Sequence, residues 1–249
     1  MPATQSAFER YVSLIKFHGL FRGLRRVKDQ ILEVDLYDWI NSTNTRFMLS
    51  GSEFTAALGG SEPASVMHYQ PVITAAVLRP IRHLVEHFPL VGASSTCFID
   101  LGCGRGKALH VARFKGLQHA SCIGIDLHPD LLGDSATNLR VALKDINRDA
   151  PSGCIVDTEK LKLICKNVMD IDYATILSPY DVIVIFNRNS FDRQTTEFTK
   201  KQILAGCRGK SIFYIYSNPV FEELFAEDTC VFTMTGWHKN WNTKVFRIA

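Results

Sequence analysis

The chain has 249 residues, 46% of them hydrophobic and 21% charged, with a formal net charge of +3. These proportions suit one large globular domain, or one domain with an appendage. The charge is too small to argue nucleic-acid binding on its own, and no apolar run approaches the ~20 residues that cross a bilayer. The start, MPATQSAFERYVSL, lacks the cationic head and long apolar stretch of a secretory leader. The seven cysteines form no CxxC pair, and several sit inside apolar runs such as STCFID. They read as reduced thiols of a cytoplasmic protein, with no metal site expected.

In chain order, RYVSLIKFHGLFRGLRRVKDQILEV predicts one or two basic amphipathic helices. SGSEFTAALGGSEPAS is small, polar and Gly-rich, and predicts a loop or lid. HYQPVITAAVLRPIRHLVEHF predicts a helix after Pro71, kinked or restarted at Pro80. Residues 1–96 are therefore expected to form a helical cap. From residue 97 the chain alternates. TCFIDL predicts a buried strand, GKALHVARFKGL a helix ending near Gly116, and ASCIGID a second strand. HPDLLGDSATNLRVALKDI predicts a helix with Pro129 in its first turn. NRDAPSGCIVDTEK reads as a surface excursion. LKLICKNV and YDVIVIFN are the third and fourth strands, FDRQTTEFTKKQILAGC is a helix ending by Gly206, and KSIFYIYSN is the fifth strand. A short helix, PVFEELFAE, precedes two strands, TCVFTMTGWH and TKVFRIA, joined closely enough for an antiparallel hairpin. Strands alternating with helices mean βαβ units. The expected fold is α/β: a Rossmann-like, seven-stranded, mostly parallel sheet in residues 97–249 with an antiparallel final hairpin.

The first strand runs into Asp100-Leu101-Gly102-Cys103-Gly104-Arg105-Gly106-Lys107. A glycine turn at the carboxyl end of a first parallel strand is where α/β folds bind nucleotides. Glycine removes Cβ and permits unusual backbone angles, so a ligand can approach the main chain. The spacing here is G-x-G-x-G. A dinucleotide fingerprint needs its third glycine where Lys107 stands, and the P-loop pattern is absent. A carboxylate just before the turn is ill suited to a pyrophosphate and favours a cationic ligand. S-adenosylmethionine fits, having an ammonium, a sulfonium and no phosphate. The second strand ends in Asp126, 20 residues past Gly106, where acids hydrogen-bond ribose hydroxyls. Leu127 and His128 follow and are expected to flank the adenine.

This pattern resembles motif I of the class I S-adenosylmethionine-dependent methyltransferases. The likeness covers residues 97–249. It implies methyl transfer from S-adenosylmethionine to a nitrogen or oxygen nucleophile of a small molecule or protein side chain. Asp100 would hold the methionine ammonium, the amides of Gly102 and Gly104 would line that end, and Gly106 and Lys107 would complete the turn. Asp126 would take the ribose, and Asp170, after the third strand, the adenine amine. Asn187, ending the fourth strand, would face cofactor and acceptor and orient the nucleophile. Within the class, DLGCGRGKALHVA with IGIDLHPDLL is similar to a bacterial branch distantly related to the non-SET histone-lysine methyltransferases. Those relatives carry a YEP-like stretch before motif I, matched here by His68-Tyr69-Gln70-Pro71. Tyr69 would cover the sulfonium, and His68 would act as a base. The Asn-Pro signature after strand four is replaced by FNRNSF, which removes the usual amide- or ring-nitrogen pattern. Asn189 and His238 are further acceptor-side candidates, with Trp237 and Trp241 as pocket walls.

Two other classes stay open on sequence. One is a non-catalytic S-adenosylmethionine-binding partner subunit or sensor on the same fold. The other is a nicotinamide-dependent reductase, which the displaced third glycine disfavours. The basic N-terminal helix, with Lys16, Arg22, Arg25, Arg26 and Lys28, is either a solvated face or a dock for an acidic carrier protein, RNA or an anionic membrane.

Overall fold

Six consecutive residues of β1, Thr96–Leu101, are all buried, and neighbouring side chains go to opposite faces. Phe98 packs into one apolar cluster, whereas Cys97, Ile99 and Leu101 pack into another. A strand buried on both faces must sit inside a sheet covered by helices on both sides. β2 (Ser121–Asp126) and β5 (Val182–Asn187) have the same unbroken burial and flank β1 in parallel. The computed structural model describes residues 7–45, 72–147, 153–188, 191–236 and 242–248.

The remaining strands are β3 (Cys154–Thr158), β4 (Leu161–Cys165), β6 (Ser211–Ser217), β7 (Thr229–Met234) and β8 (Thr243–Ile248), giving the order β3-β4-β2-β1-β5-β6-β8-β7. β4, β2, β1, β5 and β6 are parallel, and β8 and β7 are antiparallel additions. The expected architecture holds with one correction: the sheet has eight strands, not seven. The extra strand is β3, inside the stretch read as a surface excursion; it pairs antiparallel with β4. Its burial is mixed, and only Ile155 and Val156 are enclosed. An edge strand of this kind has little apolar patterning to announce it.

One sheet face carries α4 (Thr74–His87), α5 (Lys107–Val111, continued by a π turn to Gly116) and α6 (Pro129–Asn138). α4 continues through Pro80, which is buried within it. α6 is shorter than expected: it stops at Asn138, and Arg140 takes a left-handed φ of 63°. The other face carries α7 (Tyr173–Leu177) and α8 (Arg193–Gly206). α7 has no counterpart among the expected elements. It is a single turn, capped by the Asp172 side chain, which accepts from Thr175 N–H at 3.1 Å.

The N-terminal cap holds α1 (Ala7–His18), α2 (Leu20–Asp29), a π turn (Gln30–Asp35) and α3 (Leu36–Asn41). Glu33 in the π turn binds it to the body. Its carboxylate accepts from Ala75 N–H at 3.1 Å, at the start of α4, and its carbonyl accepts from Thr74 Oγ1 at 3.0 Å.

Candidate functional site

The glycine turn joins β1 to α5. Gly102, Gly104 and Gly106 all adopt positive φ, at 75°, 52° and 76°. An L side chain is strained at each. At Gly106 the space is closed as well, since a Cβ there would overlap Ser135 Oγ of α6. The alternating glycines are therefore what lets the chain reverse tightly against α6.

The amides of the turn are spent inside the protein. Gly102 N–H and Cys103 N–H donate to the Ile125 carbonyl at 2.9 and 3.0 Å, and Gly106 N–H donates to the Cys103 carbonyl at 2.8 Å. Gly104 N–H donates to Asp126 Oδ2 at 2.8 Å. The amides of Gly102 and Gly104, expected at the methionine end, are thus hydrogen-bonded within the protein. A phosphate-binding turn aims its amides outward at the anion. This one aims four of them inward.

Asp126 ends β2 as predicted. Its other oxygen, Oδ1, accepts from His128 N–H at 2.9 Å. Each carboxylate oxygen has a second lone pair, so two backbone bonds leave acceptor capacity for a diol. Asp100 lies on β1, paired across the sheet with Gly124 of β2 and Phe186 of β5. Both carboxylates are nearly enclosed, at 3% and 8% exposed. Burial raises the Asp100 pKa well above the ordinary carboxylate range, and the neighbouring Asp126 charge pushes it further. Burial also raises that of Asp126, partly opposed by its hydrogen bonds from His128 and Gly104. No cation is paired with Asp100 among the described residues. A buried acid beside another buried acid is costly unless a cation arrives or one group stays protonated.

Leu127 and His128 follow Asp126. His128 is buried and caps α6 by accepting from Leu131 N–H at 3.4 Å. β4 ends beside them: the Asp126 carbonyl accepts from Lys166 N–H at 3.1 Å. Asp170 is exposed, at the end of a single 3-10 turn (Val168–Asp170) whose cap is Asn167. Asn187 is fully enclosed, and its amide nitrogen donates to the Tyr214 hydroxyl at 2.9 Å. By strand alternation it lies on the opposite sheet face from Asp100, among the residues packed around Tyr214 and Phe225. His68, Tyr69, Asn189, Trp237, His238 and Trp241 lie outside the described residues.

Lys107 departs most from the sequence reading. Its ammonium turns away from Asp100 and Asp126 and into the cap. There it donates to the Glu33 carbonyl and lies 4.7 Å from the centre of the Tyr37 ring. Burial lowers its pKa to about 7 against the opposing pull of Asp38 and Glu33. Beside it, the Tyr37 hydroxyl and His110 Nδ1 share a 2.6 Å hydrogen bond, and burial lowers the His110 pKa to about 4. Sequence reasoning also missed the clamp at the end of α3. Asp38 accepts from Thr43 Oγ1, Thr45 N–H and Thr45 Oγ1 at 2.7–2.8 Å. Asn138 of α6 accepts from Asn44 N–H at 2.8 Å and donates to the Arg105 carbonyl at 2.9 Å. The Asp38-x4-Thr43 and Asp38-x6-Thr45 spacings carried a turn signal, but nothing in the sequence places that turn against residue 105.

No family model and no curated protein matches the chain. Among solved structures, it is similar to the methyltransferase domain of bacterial CtHen1-CN at 13% identity and a TM-score of 0.45, covering 68% of this chain and 98% of that one. It is also similar to an RNA methyltransferase from Salinibacter ruber, crystallised with S-adenosyl-L-homocysteine, at 15% identity and a TM-score of 0.40, covering 68% and 88%. A third, MtNAS in complex with MTA and tNA, is 11% identical with a TM-score of 0.41, covering 98% and 70%. Likenesses this distant carry no functional weight.

Proposed function

We propose that the protein binds S-adenosylmethionine at the carboxyl ends of β1 and β2 and transfers its methyl group to a nitrogen or oxygen nucleophile. The observation that carries this is the pairing of an inward-aimed glycine turn with the buried carboxylate of Asp100, which has no cation among the described residues. A phosphate-bearing nucleotide would meet a carboxylate, with four of the turn amides already spent inside the protein. An ammonium would supply the charge that Asp100 lacks. The remaining lone pairs of Asp126 suit ribose hydroxyls, and Leu127 and His128 suit the adenine side. Asp170, being exposed, is free to meet the adenine amine.

The cofactor supplies a methyl group on positively charged sulfur. The chain's part is to fix that methyl in line with the acceptor, an orientation effect worth about 7–11 kcal/mol at best. Asn187 acts in this reading as a strut that fixes the end of β5 through Tyr214, rather than as the group touching the acceptor. Tyr69 as cover for the sulfonium and His68 as base remain part of the proposal. The relation to the non-SET histone-lysine branch is kept only as a sequence resemblance, with no substrate inferred from it.

Calorimetry with S-adenosylmethionine, NAD and ATP tests the reading. Binding of the first alone is expected. Asp100→Asn should weaken it by about tenfold or more, since a charge-assisted bond is lost. Equal binding by the Asn variant, or binding of NAD instead, would defeat the proposal.

A further inference from the structure

The cap shows one side to the body and a different side to solvent. Along residues 20–41 the inward side is Gly23, Val34, Tyr37 and Asp38, all buried. The outward side carries Leu20, Phe21, Leu24, Leu32, Trp39 and Ile40, with Phe21 83% and Trp39 79% exposed. Scattered exposed apolar residues need no explanation, but a succession of large ones along one helical segment does. At 1.5 Å per residue the succession extends on the order of 30 Å. Exposed Arg22, Arg25 and Lys28 are interleaved with it on α2. Residues 7–28 hold six cations (Arg10, Lys16, Arg22, Arg25, Arg26, Lys28) against one acid, Glu9.

We infer that this outward face of α2 and α3 lies on an anionic lipid surface. Among the described residues no helix is long and apolar enough to cross a membrane, so the contact is peripheral. The chemistry selects lipid over the other occupants. A nucleic acid would pair with the cations and stack on Phe21 and Trp39, but it gains nothing from Leu24, Leu32 and Ile40. A second copy related by a twofold axis would bring the same cations face to face. An anionic bilayer takes both sets at once: the aliphatic and aromatic side chains enter the headgroup boundary, and Arg and Lys stay with the lipid phosphates. The inference is independent of methyl transfer, because none of these residues touches the glycine turn.

Co-sedimentation with vesicles tests it, comparing phosphatidylcholine alone with phosphatidylcholine containing phosphatidylglycerol. The protein is expected to bind the anionic vesicles with a blue shift of tryptophan fluorescence, and the shift should be missing in Trp39→Phe. Arg22→Gln/Arg25→Gln/Lys28→Gln should weaken partitioning by about two orders of magnitude. Phe21→Ser/Trp39→Ser should also release the protein from vesicles. Both variants should keep the parent melting temperature, because the side chains are exposed. Equal binding to neutral vesicles, or no binding to either, overturns the inference. A concentration-dependent dimer dispersed by Phe21→Ser/Trp39→Ser, or RNA binding that exceeds vesicle binding, assigns the face to another occupant and overturns it as well.

Discussion

The glycine turn has two sides, and they treat buried charge in opposite ways. On one side Asp100 and Asp126 are enclosed together, with backbone bonds to Asp126 and, among the described residues, no cation for Asp100. On the other side the buried charge is Lys107, and the chain satisfies it from its own cap: the Glu33 carbonyl, the Tyr37 ring and the nearby acids Asp38 and Asp35. Among the described residues Asp100 has no cation, and in the proposed reading that is why the acid side, not the lysine side, faces the ligand. In the proposed reading the turn is a wall between a site and a seam.

The largest way to break both sides at once is Gly106→Val. The substitution forces a β-branched residue to a φ of 76° and drives its Cβ into Ser135. A loss on the order of 3–5 kcal/mol is expected, read as a fall in the urea midpoint, together with loss of S-adenosylmethionine binding. A variant that keeps its midpoint would mean that α6 can move away from the turn.

Legibility followed the same division. The parallel strands were readable because burial on both faces makes continuous apolar runs, as in TCFIDL, SCIGID and DVIVIFN. The acid side was readable too. Asp100 and Asp126 are placed by the ends of those strands, and glycine at alternate positions signalled the tight, positive-φ turn after β1. The seam was not. Lys107 follows the turn, so sequence put it with the cofactor. Its direction depends on a cap whose docking rests on a backbone carbonyl at residue 33, which no side-chain pattern reveals. The place of Asn187 at the end of β5 was readable, but its enclosure was not: it bonds Tyr214, 27 residues later. β3 escaped notice because an edge strand buries too little to impose alternation.

Lys107→Met sharpens the comparison through pH. The folded pKa of Lys107 is about 7, below its ordinary 10.5. Between those values the unfolded chain binds the additional proton, so this residue makes stability rise with pH across that window. The slope is at most about 1.4 kcal/mol per pH unit. Below pH 7 both states are protonated and the contribution is flat. The difference in unfolding free energy between parent and Lys107→Met should therefore move in the parent's favour as pH rises from about 7 toward 10. Denaturant titrations at several pH values measure it. S-adenosylmethionine affinity should be unchanged in the variant, provided stability is sufficient. A selective loss of affinity would return Lys107 to the cofactor side, where sequence first put it.

The smallest expected effect separates the seam from the site most cleanly. Tyr37→Phe removes one hydroxyl, and with it the 2.6 Å bond to His110 Nδ1, while keeping the ring under Lys107. His110 is 1% exposed, and its Nε2 already has no partner among the described residues. Losing the Nδ1 partner leaves both ring nitrogens unsatisfied in an apolar setting, and a cost of about 1–2 kcal/mol follows. If the turn is a wall, that cost appears only as lower stability, with cofactor affinity within twofold of the parent. If affinity falls in step with stability, the cap and the carboxylate pair form one cooperative unit, and the separation between site and seam fails.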